Sequence, residues 1–479
     1  MKYFRMFLLA LLGCVTAYLL FLVQPGESSR KDGRVVITYW EKWNGEDAAA
    51  MQQVVNDFNN TVGKQKGIYV RYLSMSNVDQ KTLVATAAGV PPDVAGLWNT
   101  QVAQFAEINA LEPLDDLAKA HGITADYYKP VLWEGCRYKG HLWALVSSCG
   151  SQALYYNKLL FARKAAALRK AGLDPNRPPR TLDELDRYAA VLDEYETLPN
   201  GFRRLKQSGF LPMEPGWYLA YIGYWFGAPI YDPQTDRILL TDPRMVKAFD
   251  WIRGYSLRLG KDSLSEFRSG FGTFNSTQNP FIARTVAMEL QGPWMTSTFE
   301  KYRPAMNHGK YPRSLERSLS PTQRQENCEW GVAPFPSAVP GLNDVTFTNF
   351  DVLMIPRGVK HKKEAFEFIA FVNSQAETEK LNILNCQDSP LRQVSRHFFE
   401  VHPNPYIAVF ERLMAGPHAY GVPPCPIWPE VGAELDNATQ RVSLLEASPA
   451  QALRDAQERV DEKYREYRER QRARRGSQG

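Results

Sequence analysis

Cysteine is scarce, with six in 479 residues, and neither a CxxC pair nor a Cys/His cluster occurs. That excludes a disulfide scaffold and a zinc site of the usual spacing. Long apolar runs are almost absent as well. Met6–Val23, 18 residues without a charge, is the one stretch able to cross a bilayer, so a multi-span membrane protein is excluded. The net charge of +5 is confined to one end: Lys463 to Arg475 holds seven basic and two acidic residues, and the remainder is balanced. No basic nucleic-acid-binding face is implied. HExxH, P-loop and GxSxG motifs are missing, and Gly270-Phe271-Gly272 lacks the third glycine and the preceding strand of a dinucleotide loop. His397, Glu400 and His402 diverge on a helix and read as a satisfied surface cluster, and the adjacent Asp115-Asp116 point apart. Nothing supports catalysis, a metal or a cofactor.

What is present is ordinary globular material, 44% hydrophobic and 12% aromatic, enough for two or three domains at this length. Lys2 and Arg5 precede the apolar run, which reads as a signal anchor over residues 1–23 with a cytoplasmic N-terminus. Leu11-Leu12-Gly13-Cys14 resembles a bacterial lipobox, so cleavage or lipidation at Cys14 is the alternative. In each case the rest of the chain faces outside the cytoplasm. Residues 24–34 read as a polar tether, Arg303–Cys328 as an exposed insertion, and 468–479 as a basic, solvated tail. In an oxidising compartment Cys136 and Cys149, flanking a short strand-like stretch, are the candidates to pair.

The remaining pattern alternates strands with helices. Val35–Trp40, Ile68–Leu73 and Asp93–Trp98 are β-branched or aromatic strands. Met51, Val54, Val55 and Phe58 mark one apolar helical stripe between them. Such alternation predicts a mostly parallel sheet with ligands beyond the strands' carboxyl ends. Later strands are expected over Gly140–Ser148, Val286–Leu290 and Val345–Ile355, with helices at Leu182–Tyr195, capped by Thr181, and from Pro243 to Leu259.

Eight segments occur in the order found in the family 1 extracellular solute-binding proteins of ABC importers, the carbohydrate-binding group related to maltodextrin-binding proteins. They are Ala88–Val94 (AGVPPDV), Ala110–Leu114 (ALEPL), Tyr155–Lys158 (YYNK), Thr181–Leu185 (TLDEL), Ala287-Met288 with Gly292-Pro293-Trp294, Ile355–Gly358 with Lys362–Ala365, Ser389–Arg392 and Ser448–Leu453. The chain resembles that family over about residues 35–467. The resemblance implies an α/β fold of the two-lobed periplasmic-binding-protein type (type II-like) with three interlobe crossings. Lobe one would comprise residues 35–146 and 345–395, and lobe two residues 147–344 and 396–467. It implies a monomer that closes on a carbohydrate and delivers it to the permease subunits of an ABC importer. Two other readings stay open: an envelope sensor or scaffold that kept the fold without transport, and a glycan-acting enzyme. Ala144–Ser147 lacks the proline usual in the family's hinge strand, and Thr348–Asp351 is bulkier than the usual small strand.

A sugar offers hydroxyls in fixed directions and a patch of C–H groups, so its site needs aromatic faces beside amides and carboxylates. Trp40, Trp43, Asn44, Trp98 and Asn99 stand at predicted strand ends of lobe one, with Asp93 in the Pro-Asp segment. Trp217, Trp294 and Trp428 lie beside proline or glycine in lobe two. Trp294 and Trp428 align with the family's sugar-stacking positions and lead the candidates. Ser147, Ser148, Asn349 and Asp351 lie at the expected crossings, where hinge and ligand roles both fit. Trp133, Trp143, Trp225, Trp251 and Trp330 read as core.

Overall fold

In a computed structural model, residues 30–476 are described. The expected signal anchor, Cys14 and residues 24–29 of the tether lie outside the described residues. The rest of the tether departs from expectation. Arg30–Lys31 pairs antiparallel with Arg34-Val35 across Asp32-Gly33, both at positive φ (54° and 79°). An Asp-Gly pair supplies the left-handed conformations that a two-residue hairpin demands, so this segment folds onto the sheet.

The first sheet begins as the alternation predicts. Arg34–Glu41 runs parallel to both Ile68–Ser74 and Val94–Trp98. Helix Gly45–Asn60 buries Met51, Val54, Val55 and Phe58 as one stripe. The parallel pattern stops there. Thr346–Met354 enters between Val94–Trp98 and Ala144–Ser151, antiparallel to both. Long return connections reverse the direction, so the sheet is mixed. The second sheet holds Ala153–Asn157 antiparallel to Val286–Gln291 and to Trp330–Ala333, with Arg203–Phe210 parallel to Val286–Gln291. Thr181 caps the helix Leu182–Leu192 through its hydroxyl, which accepts from the Glu184 N–H. That helix ends three residues early because Glu194–Thr197 leaves to pair with Arg203–Gln207.

Each sheet carries its own core: Tyr39, Phe58, Phe105 and Phe368 lie in the first, and Phe161, Tyr188, Trp225 and Phe249 in the second. The chain steps between the sheets at Gln152: Ser148–Ser151 still pairs with Thr348–Asp351, and the register shifts at Ser147, beyond which Val146 pairs with Val352. Near Asp388 the crossing is pinned by buried charge. Asp388 Oδ2 accepts from Ser151 N (2.6 Å) and Oγ (2.8 Å), while Lys129 pairs with Glu411 at 2.5 Å.

Among the described residues all five cysteines are free and buried, so Cys136 and Cys149 are not joined. Cys136 sits in the first core, whereas the Cys149 thiol donates to the Asp388 carbonyl at 3.3 Å. The insertion 303–328 is not structureless. It holds the helix Pro321–Asn327, opened by a reciprocal cap between Ser320 and Gln323. Beyond residue 467 the last helix, Pro449–Gly476, simply continues.

Candidate functional site

The strand Thr346–Met354 passes between the lobes, and its odd residues Phe347, Asn349 and Asp351 share one face, as strand periodicity requires. A cleft of about 360 Å³ lies on that face. Trp98, Asn349 and Asp351 line it from the first sheet, Trp217, Tyr221 and Trp294 from the second lobe, and Ser148, Gln152 and Gln387 from the crossings. Six expected residues therefore converge: Trp98, Ser148, Trp217, Trp294, Asn349 and Asp351.

Trp294 is the best supported of the three tryptophans. Its ring lies over Gly292 and Gly150, where a Cβ built on Gly150 would come within 2.8 Å of Cζ3. Only glycine leaves the ring that place. The turn beneath it is held from two sides: the Tyr155 hydroxyl donates to the Gly292 carbonyl at 2.9 Å, and Asn404 Nδ2 donates to the Pro293 carbonyl at 3.0 Å. Trp98 and Trp217 remain 42% and 49% exposed, apolar faces offered to the cleft. Trp217 is steadied by an edge contact with Phe274, ring centroids 4.7 Å apart.

The polar groups divide into spent and unspent. Ser148 Oγ donates to Asn382 Oδ1 at 2.8 Å, and Asp351 Oδ1 pairs with Lys42 at 2.5 Å. Gln152 Oε1 and Gln387 Oε1 are buried with no protein hydrogen-bond partner. Two unsatisfied amide oxygens at the cleft wall are acceptors waiting for donors, because a buried orphan acceptor is costly. Gln387 is held by His402. The Asn404 N–H donates to His402 Nδ1 at 3.0 Å, which leaves the proton on Nε2, 3.1 Å from the Gln387 carbonyl. Burial pushes the His402 pKa down to about 3, so it is neutral there. His402 is fully buried, and the surface-cluster reading of it is corrected.

Seven expected residues fall elsewhere. Trp428 is 2% exposed and stacks behind Tyr221, its Nε1 donating to the Tyr221 hydroxyl at 3.0 Å. Tyr221 faces the cleft instead, packed against Phe347 with ring centroids 3.6 Å apart. Trp40 packs on the first core, on the opposite strand face from buried Tyr39 and Glu41. Trp43 is a buried brace, donating to Asp351 Oδ2 at 3.0 Å. Asn44 precedes the first helix without a side-chain cap bond and stays exposed. Asp93 accepts from Thr38 N (2.8 Å) and Oγ1 (3.2 Å), tying two strands together. Ser147 is fully buried in the sheet.

Asn99 accepts from the Phe350 N–H at 3.4 Å and lines a different, larger cavity of about 1080 Å³. Gly135 lines that cavity too, with the Phe350 ring against it, while Phe350 itself lines the first cleft. Its walls mix prolines and tyrosines with the charged Glu134, Arg137, Lys139 and Asp236, without the convergent tryptophans of the first cleft. Sequence reasoning missed Gln152, Tyr218, Tyr221, Phe347 and Gln387. Gln152 and Phe347 carried a signal in standing beside expected crossings; Tyr221 and Gln387 carried none.

Residues 42–379 match the family described as bacterial extracellular solute-binding protein. The chain is 20% identical over 420 residues to the maltotriose-binding protein of Pyrococcus abyssi, covering 86% of this chain and 78% of that one. It is 29% identical over 166 residues to the sn-glycerol-3-phosphate-binding periplasmic protein UgpB of Shigella dysenteriae serotype 1, covering 33% and 35%. Its fold is similar to that of the sugar-binding protein MalE from Xanthomonas citri, with a TM-score of 0.70 at 20% identity over 91% of this chain and 98% of that one.

Proposed function

Because the chain belongs to the bacterial extracellular solute-binding proteins, we propose that it captures a carbohydrate in the cleft between its lobes and hands it to the permease of an ABC importer. The observation that carries this reading is the convergence of Trp98, Trp217 and Trp294 on one cleft with the unsatisfied oxygens of Gln152 and Gln387. Aromatic faces take the C–H patch of a sugar ring, and its hydroxyls supply the donors that the amide oxygens lack. Tyr218 and Tyr221 stay protonated, since burial raises both phenols, and they add no charge to the cleft wall. The role is capture and delivery, with no bond made or broken in the ligand. Residues 1–23 tether the protein to the membrane's outer side.

Ligand that touches both lobes favours the conformation in which both touch it. One lobe-to-lobe contact outside the cleft fits such closure: Lys301 of the second lobe reaches Glu46 of the first at 2.9 Å. The test is a fluorescence titration against mono- and oligosaccharides. A saturable tryptophan signal from a sugar in wild type, lost in Trp294→Ala of unchanged secondary structure, is expected. An equal signal in the variant would overturn the assignment of the cleft.

A further inference from the structure

Asp351 is the one charged side chain among the described residues lining the cleft, and its oxygens are already engaged. Oδ2 accepts from Trp43 Nε1 at 3.0 Å, and Oδ1 pairs with Lys42 Nζ at 2.5 Å. Lys42 is the nearby cation that an anionic ligand would seek. Its ammonium lies 4.9 Å from the centre of the Trp98 ring, which itself lines the cleft. Yet it is covered, with 7% of its side chain exposed, and it is shared with a second carboxylate, Glu41, at 3.6 Å. Glu41 is fully buried and accepts from the backbone N–H groups of Lys42 (2.7 Å) and Trp43 (3.3 Å). One ammonium thus faces two carboxylates, and the wall presents no uncompensated positive charge.

The geometry points to Asp351 as a charge filter: by masking Lys42 and facing the cleft itself, it restricts the ligand to uncharged sugars and rejects phosphorylated or carboxylated ones. This rests on the cleft being the ligand site and names the class of ligand it takes. A phosphate entering beside Trp98 would meet the Asp351 carboxylate before any free cation, in a cleft where like charges are poorly screened. A neutral sugar meets no such cost, and its hydroxyls still find Asn349 and the two glutamine oxygens.

The experiment uses the full chain and four proteins: wild type, Asp351→Asn, Lys42→Gln and the double variant. Each is titrated with a neutral oligosaccharide panel, with glucose 6-phosphate and with sn-glycerol 3-phosphate. Asparagine keeps an oxygen for Trp43 but removes the charge that faces the cleft, so an entering anion no longer meets a carboxylate ahead of Lys42. The expected result is no measurable anion binding by wild type, a gain of about tenfold or more in anion affinity in Asp351→Asn, and loss of that gain in the double variant. Wild type that binds either phosphate as well as it binds a neutral sugar would overturn the filter. So would an Asp351→Asn protein, folded by circular dichroism, that gains nothing. Failure of wild type to bind any sugar strikes the carbohydrate reading instead, and the anion gain in Asp351→Asn still decides the filter.

Discussion

Trp43 Nε1 donates to Asp351 Oδ2 at 3.0 Å, joining residues 308 positions apart in the chain. The bond ties the loop after the first strand to the strand that passes between the lobes. It also explains why Trp43 is a brace rather than a stacking face: its one donor is spent on the cleft wall, and 9% of the residue is exposed. The wall at Asp351 is therefore preorganised before ligand arrives, which lowers the ordering cost of binding.

Gly150→Val tests how Trp294 is placed. The Cβ alone would stand 2.8 Å from Cζ3 of the indole and 2.6 Å from Gln387 Oε1, so the ring and the amide must both shift. Sugar affinity is expected to fall by about tenfold or more, roughly the 1.4 kcal/mol that a displaced anchor loses. Calorimetry on the variant, with its unfolding midpoint measured alongside, checks this.

Trp428 carries load through Tyr221 and the second core. Trp428→Ala is expected to cost about 3–5 kcal/mol of stability, the range for emptying a buried indole site. Trp428→Phe keeps most of the volume but loses the 3.0 Å bond to the Tyr221 hydroxyl. That milder variant is expected to weaken sugar binding more than it lowers the denaturation midpoint. Urea unfolding and ligand titration of the pair separate the two roles.

His402 sets a pH dependence. Its imidazole pKa falls from 6.5 to about 3, with burial the leading cause. The unfolded imidazole takes a proton as pH drops below about 6.5, and the native one does not. Its contribution to stability is complete above that pH and is lost progressively as pH falls toward 3. Each pH unit in that window is worth about 1.4 kcal/mol. His402→Gln lacks the term, so the stability gap between wild type and variant should narrow from pH 7 to pH 4. Denaturant unfolding at several pH values measures the gap, and a constant gap would contradict the assignment.

The Lys301–Glu46 contact is solvated, with 51% and 71% of the two side chains exposed. A solvated pair of that kind contributes little and is screened by salt. Lys301→Ala is expected to weaken sugar binding a few-fold at low ionic strength and scarcely at 0.5 M salt. Titration at the two salt concentrations reads the difference.

Much of this architecture was legible in the residues. The stripe Met51, Val54, Val55 and Phe58 is one buried helix face, and the Gly292-Pro293-Trp294 turn does deliver an indole to the cleft. What stayed hidden depends on partners far along the chain. Thr346–Met354 has the composition of any strand, and nothing local says that it inserts antiparallel between two others. Trp428 and Trp294 look alike beside their prolines. Only the packing of Tyr221 over one and of two glycines under the other decides which lines the cleft. Gln387 gave no sign, because its position is fixed by His402 and by Gly150 rather than by its neighbours in sequence.

The most direct measurement is isothermal calorimetry of the purified chain against mono- and oligosaccharides, with the sugar recovered and analysed afterwards. Saturable one-to-one binding of a sugar that is recovered unchanged is the predicted result. Silence across the panel, or a sugar consumed during the titration, would contradict the account.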